Sequence, residues 1–196
     1  MVDCPTMNRV VAVLLVTGLL SAVASCAKAP GASPVEAVST LDLPRYMGRW
    51  FELAKYPNRF QTQCVGDTTA TYKLENDGSV QVINRCKMAD GKVDQAVGRA
   101  EKVGDPQEAK LRVRFAPAWV GWLPIVWGDY WVIDIDPDYS LVAVSEPRRQ
   151  YLWILARAPA VDTARYQALL ERLRQKGFDS DHLVPTEQHA DGSADR

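Results

Sequence analysis

Histidine is nearly missing from this chain. Only His182 and His189 occur among 196 residues, both close to the C-terminus, which excludes most histidine-dependent acid–base catalysis and the usual zinc-ligand spacings. A basic excess is missing too. The formal net charge is −1 and the lysines and arginines are scattered rather than clustered, so no nucleic-acid surface is expected. The sequence has no phosphate-cradling glycine loop and no Gly-x-Ser-x-Gly elbow, and neither a metal nor a cofactor is implied. What is present is a hydrophobic fraction of 47%. A globular domain of this length buries most of its apolar surface without metal or several disulfides.

The N-terminus reads as an address. Arg9 precedes an apolar run from Val10 to Val23, the hydrophobic core of a secretory signal and too short for a comfortable membrane span. It ends Val23-Ala24-Ser25-Cys26, which resembles a bacterial lipobox. Residues 1–25 are therefore expected to be removed, leaving Cys26 as the lipidated first residue. Ala27 in place of Asp resembles lipoproteins forwarded to the outer membrane, and Met7 makes a more conventional start than Met1. Acyl chains on Cys26 would hold the protein on a bilayer at ~0.8 kcal/mol per buried CH₂. Residues 26–42, with Pro30, Gly31, Ser33 and Pro34, read as a flexible tether, and residues 186–196 as a disordered tail.

Between these ends apolar residues recur at alternate positions. Gly48-Arg49-Trp50 opens a strand-like run that Pro57 stops. Ala70, Tyr72 and Leu74 alternate, Asp77-Gly78 supplies a hairpin turn, and Val80 and Val82 return in phase. Val93 to Val103 is a looser strand, whereas Lys110 to Phe115 sets Leu111, Val113 and Phe115 against three cations. Asp129 to Ile135, Tyr139 to Ser145 and Tyr151 to Arg157 bring the count to eight. A helix follows, with Asp162 as N-cap, Tyr166, Leu169, Leu170 and Leu173 at helical spacing, and Gly177 closing it. The order predicts an all-β fold, an eight-stranded antiparallel up-and-down barrel with one C-terminal α-helix packed outside, over residues 43–185. Glu52 and Asp129 are read as neutralising Arg49 or Arg157 at the barrel base rather than as an acid/base pair.

Three pieces of this pattern resemble the lipocalin family, and within it the bacterial outer-membrane lipoprotein branch. Gly48-Arg49-Trp50 matches the family's first motif. Gly128-Asp129-Tyr130 matches the second, with Gly128 where Thr is usual. Arg157, ending Tyr151-Leu152-Trp153-Ile154-Leu155-Ala156, matches the third, and Thr69-Ala70-Thr71-Tyr72 resembles the bacterial branch. The resemblance implies that Arg157 lies across Trp50 and, with Gly48, closes the barrel base. It implies a carrier or store rather than an enzyme, binding a fatty acid or lysophospholipid for membrane maintenance or lipid transport. Its implied place is the bacterial outer membrane, lipid-anchored on the periplasmic face, with room for a homodimer. Inward candidates for ligand contact, by alternation and by resemblance, are Ala54, Tyr72, Val82, Leu111, Val113, Phe115, Tyr151 and Trp153.

Cys4 falls in the signal and Cys26 in the anchor. Cys64 and Cys86 lie on either side of the Asp77-Gly78 turn, 13 residues before Asp77 and 8 after Gly78, an offset that the loop before the second strand would absorb, and an exported chain meets an oxidising compartment, so a disulfide is expected. Two rival functions stand beside the carrier. One is a lipocalin-type isomerase using a free Cys64 thiol, although nothing adjacent lowers that thiol's pKa. The other is a structural envelope protein whose barrel is filled by its own side chains. Pro117 to Gly128 is unusually apolar for a strand connection and, in the lipocalin arrangement, lies at the open mouth. Trp119 and Trp122 either fold over that mouth or touch a membrane interface, where Trp is favoured.

Overall fold

In the computed structural model, residues 33–105, 107–117, 121 and 123–189 are described. The alternating runs form β1 (Gly48–Lys55), β2 (Cys64–Leu74), β3 (Val80–Met88), β4 (Val93–Lys102), β5 (Lys110–Arg114), β6 (Gly128–Ile135), β7 (Leu141–Ser145) and β8 (Leu152–Ala156). Each strand pairs antiparallel with the next, and β1 pairs with both β8 and β2, closing the barrel. Tight links keep the strands in register. In the β2–β3 turn Gly78 adopts φ +82°, and the Asp77 carboxylate accepts from the Ser79 N–H and hydroxyl at 3.1 and 2.6 Å.

Two bulges decide which side chains point inward in β1 and β6, and β2 carries two further register shifts. Glu52 pairs with Leu155 but Ala54 pairs with Ile154, leaving Leu53 as the extra residue in β1. A second shift lies between Val132 and Asp134 in β6. Each bulge reverses the inward–outward phase of its strand. In β6 the extra residue, Ile133, joins an outer apolar cluster with Leu141, Ile154, Leu169 and Leu173, and the reversal turns Asp134 outward after it. Asp134 then meets α2 (Thr163–Gln175), where the Arg172 guanidinium donates to it at 2.8 Å and Lys176 lies at 3.2 Å. The helix is capped by Asp162, whose side chain accepts from the Arg165 N–H, and buries Leu169, Leu170 and Leu173 against the barrel.

Both supposedly loose segments are partly built into the fold. The expected tether 26–42 is packed from Val35 to Leu41. Val35 and Leu41 are buried, Val38 N–H donates to Val132 O at 2.8 Å, and Leu41 N–H donates to Gln107 O at 3.2 Å. Asp42 then caps a single helical turn, α1 (Leu43–Tyr46). The expected tail 186–196 is ordered at its start for a geometric reason. β1 and β2 pair only over Gly48–Phe51 and Thr69–Tyr72, and above that they part. A short strand, β9 (Val184–Pro185), pairs with Ala54 and Lys55 in the gap. Thr186 N–H donates to Leu53 O, and Asp67 N–H to Glu187 O. The Gln188 amide donates to Glu52 O and Thr68 O, both at 2.8 Å. Open ladder groups need partners, and this segment supplies them.

Candidate functional site

The base of the barrel is closed by one cation. The Arg157 guanidinium carbon lies 3.9 Å from the centre of the Trp50 ring. Its N–H groups donate to Arg49 O, Met47 O, Arg45 O and Tyr46 O at 2.9, 2.8, 2.9 and 3.1 Å. Trp50 is fully buried, and its indole N–H donates to Tyr46 O at 2.9 Å. Gly48 stands at φ +93°, and a Cβ there would come within 3.3 Å of the Arg157 Nη1. A planar fork with several donors suits this ring of carbonyls, which a point charge cannot cover.

Above Trp50 lies a floor of three phenols. The Tyr130 hydroxyl is 2.7 Å from that of Tyr46 and 2.8 Å from that of Tyr72. Burial pushes all three phenols above their usual range, Tyr72 to about 12. They line a cavity of about 10 Å³ with Val80, Val82, Ala100, Leu111 and Val113, roughly the space of one water.

Higher in the barrel the inward positions become small or aromatic. Asn84, Ala96 and Gly98 follow one another across the β3–β4 pair on the face of Ala70 and Val82. Ala96 lies on that inner face and is exposed, beyond the stretch of β4, Arg99–Lys102, that pairs with β5. Phe115 lies against Gly98, where an added Cβ would meet its ring at 2.7 Å. The mouth carries an aromatic ladder, with Phe60, Tyr151 and Trp153 at centroid spacings of 5.4 and 5.8 Å. It also carries a polar cluster. The Glu52 carboxylate, 2% exposed, accepts from Lys55 Nζ at 2.9 Å, Gln61 Nε2 at 2.7 Å and Thr186 Oγ1 at 2.6 Å. The Trp153 indole donates to Gln61 Oε1 at 3.0 Å.

Most of the expected ligand wall therefore sits on the inner face. Tyr72, Val82 and Leu111 lie deep, Val113 and Phe115 higher, and Trp153 and Tyr151 at the mouth. Ala54 does not line the cup. The Leu53 bulge sets it opposite Ile154, which belongs to the outer cluster, and turns Lys55 toward Trp153 instead. Glu52 also departs from expectation, since it neutralises Lys55 near the mouth rather than an arginine at the base. Sequence reasoning missed Tyr46 and Tyr130 as floor residues, although Tyr130 ends the second motif. Cys64 and Cys86 form a disulfide with Cα atoms 5.5 Å apart, which removes the thiol an isomerase would need. Cys26, Trp119 and Trp122 lie outside the described residues.

Residues 41–188 match the profile of the lipocalin-like domain. The chain is a lipocalin. It is 42% identical over 157 residues to temperature-induced lipocalin-1 of Arabidopsis thaliana, covering 79% of this chain and 83% of the relative. To the outer membrane lipoprotein Blc of Escherichia coli it is 34% identical over 167 residues, covering 85% and 90%. Mouse apolipoprotein D is 29% identical over 154 residues, covering 75% and 77%. Among solved structures, insecticyanin of the tobacco hornworm Manduca sexta superposes with a TM-score of 0.64 at 18% identity, covering 84% of this chain and 89% of that one. At that identity the likeness concerns the fold.

Proposed function

We propose that this lipocalin carries or stores a fatty acid or lysophospholipid in its cup, tethered to the bacterial outer membrane through an acylated Cys26. The observation that carries the reading is the contrast within one interior. The base is sealed by Arg157 and Trp50, while Ala96 and Phe115 face inward and remain exposed, Phe115 by 44%. An acyl chain entering such a cup exchanges water for apolar wall at about 25 cal/mol per Å². The E. coli relative bears the name of an outer membrane lipoprotein, which favours the same location here. The Pro117–Gly128 connection supports contact with a bilayer, because Ile125, in the same stretch of sequence as the expected membrane-touching Trp119 and Trp122, is 90% exposed.

The test is a titration of Trp fluorescence with lysophospholipid and with fatty acid, using a version of the protein that begins at Ser33 so that the packed Val35–Leu41 segment is kept. Saturable quenching that is lost in Trp153→Ala is the expected result. Indifference to every acyl ligand would instead favour a barrel filled by its own side chains. Replacing Trp119 and Trp122 with Ser should weaken liposome binding; unchanged binding would remove the membrane-contact role.

A further inference from the structure

The chain enters the fold at the open end of the barrel. Ser33 is held by Arg149, which lies at the mouth in the link between β7 and β8, residues 146–151. The Arg149 guanidinium donates to Ser33 O and, at 2.9 Å, to Lys176 O at the end of α2. Its central carbon lies 5.4 Å from the centre of the Phe178 ring, and Val35 is buried with Phe178, Leu173 and Ile133. From there the chain descends to the base. Leu41 N–H donates to Gln107 O and Asp42 N–H to the Tyr139 hydroxyl at 2.9 Å, and both partners belong to links at the closed end. Seven residues, Cys26 to Ala32, precede Ser33, and at ~3.3–3.6 Å each they span at most about 25 Å. β1 alone, eight residues long, measures about 26 Å. Setting the base against the bilayer that holds Cys26 would therefore stretch that link close to its limit along the wall, whereas setting the mouth against it leaves the link slack.

Composition divides the two ends in the same sense. The mouth links, residues 56–63, 89–92, 115–127 and 146–151, carry four cations, Arg59, Lys92, Arg148 and Arg149, against two carboxylates, Asp90 and Glu146. Glu146 is buried and accepts from the N–H groups of Arg148 and Gln150. Phe60, Phe115 and Ile125 are exposed at this end. The base links, residues 75–79, 103–109 and 136–140, carry six carboxylates and no cation. Adjoining elements pair Arg99 with Asp77, Lys110 with Glu108 and Arg165 with Asp136 and Asp138, but the outermost chain there is acidic and polar. A surface of acidic phospholipid attracts Lys and Arg within a Debye length and accepts aromatic and aliphatic side chains at its interface.

We propose that the cup opens onto the bilayer that anchors the protein. The mouth links rest on an acidic phospholipid surface, with Phe60 and Ile125 at the interface and Arg59 and Arg148 against lipid phosphates, and the base points away. The inference rests on the acylated Cys26 of the preceding reading and adds the orientation. In that orientation an acyl chain passes between bilayer and cup without crossing bulk water.

The experiment uses the full-length acylated protein in vesicles of phosphatidylethanolamine and phosphatidylglycerol. A single cysteine is introduced at an exposed link position, Ala89→Cys at the mouth or Asn76→Cys at the base. It is the one free thiol of the mature protein, since Cys64 and Cys86 are bridged and Cys26 carries the anchor. Each is labelled with a fluorophore, and lipids bearing a spin label on the head group are added as a contact quencher. The Ala89→Cys label should lose fluorescence and the Asn76→Cys label should not. Arg59→Glu combined with Arg148→Glu should reduce the loss at the mouth. Equal quenching at both positions, stronger quenching at the base, or none at either on protein that floats with the vesicles would overturn the orientation and leave the anchor intact. A mouth signal that survives the two charge reversals would overturn the role of Arg59 and Arg148. Protein that does not float with the vesicles would remove anchor and orientation together, while the titration with lysophospholipid judges the cup separately.

Discussion

Replacing Arg157 with Lys keeps the charge at the barrel base and removes the plane and the fork. Three of the carbonyls it serves, Arg49 O, Met47 O and Tyr46 O, are part-buried, while the Arg45 O contact is exposed and water can replace it. An ammonium beneath Trp50 reaches at most one or two of the three. Losing two part-buried bonds at about 1 kcal/mol each, together with about 0.5–1 kcal/mol of stacking on the indole, predicts a destabilisation of about 2–4 kcal/mol. For a domain of this size that lowers Tm by roughly 6–12 °C. Urea unfolding followed by far-UV circular dichroism reads the change as a lower midpoint with the slope unaltered. A double-mutant cycle with Trp50→Phe separates the ring contact from the carbonyl bonds and should return a coupling of about 0.5–1 kcal/mol. A loss below about 0.5 kcal/mol for Arg157→Lys, the range of an ordinary surface substitution, would mean that solvent serves these carbonyls and that the base closes by packing alone.

Alkaline pH should act through the floor. A phenol whose native pKa is raised contributes fully below its ordinary value near 10 and loses that contribution as pH climbs to the native value. Tyr72, at about 12, thus adds roughly 2–3 kcal/mol at neutral pH that disappears between pH 10 and 12. Tyrosinate absorbance should show part of the seven tyrosines ionising only as circular dichroism is lost, and full ionisation near pH 10 in a native protein would contradict this. Reducing the Cys64–Cys86 disulfide, with a sequence separation of 22, should cost about 3 kcal/mol, seen as a lower urea midpoint in reductant that Cys64→Ser with Cys86→Ser reproduces; an unchanged midpoint would show that the β2–β3 pairing already restrains the unfolded chain. Gln188→Ala should remove both side-chain bonds across the β1–β2 gap, lowering stability by about 1–2 kcal/mol and speeding amide exchange at Leu53 and Asp67; exchange at wild-type rates would show that β9 holds the seam unaided.

The strand order was legible because alternation survives in single sequences, and Asp77-Gly78 and Asp136-Pro137-Asp138 mark the reversals. The base was legible because Gly48, Trp50 and Arg157 are each unusual in type as well as place. The phase of β1 beyond Glu52 was not. Glu52-Leu53-Ala54-Lys55 contains no glycine or proline to announce a bulge, and the extra residue becomes visible only when β8 is laid beside it. That single residue turned Ala54 out of the cup and Lys55 into it. The packed segment before α1 was hidden differently. Val35, Val38 and Leu41 recur at every third position, a weak apolar signal inside a Pro- and Ser-rich stretch. Thr186 to His189 are polar and read as solvated, yet they are held by backbone groups left open where β1 and β2 part, a demand that no local composition expresses.

The polar groups of the interior are not spread evenly along its depth. They collect at the mouth, where Glu52, Lys55 and Gln61 bind one another, and on the floor, where three phenols share two bonds. Between them the wall is largely apolar, with Val82, Leu111, Val113, Val132 and Val144, and Asn84 is the polar side chain on that face. A largely apolar wall between two polar ends places most hydrogen-bonding choices of a bound molecule at its termini, because a polar group held against that wall would be dehydrated without a partner. The upper end is the permissive one, since solvent reaches it and can satisfy head groups of different kinds. The lower end is sealed by Trp50 and Arg157.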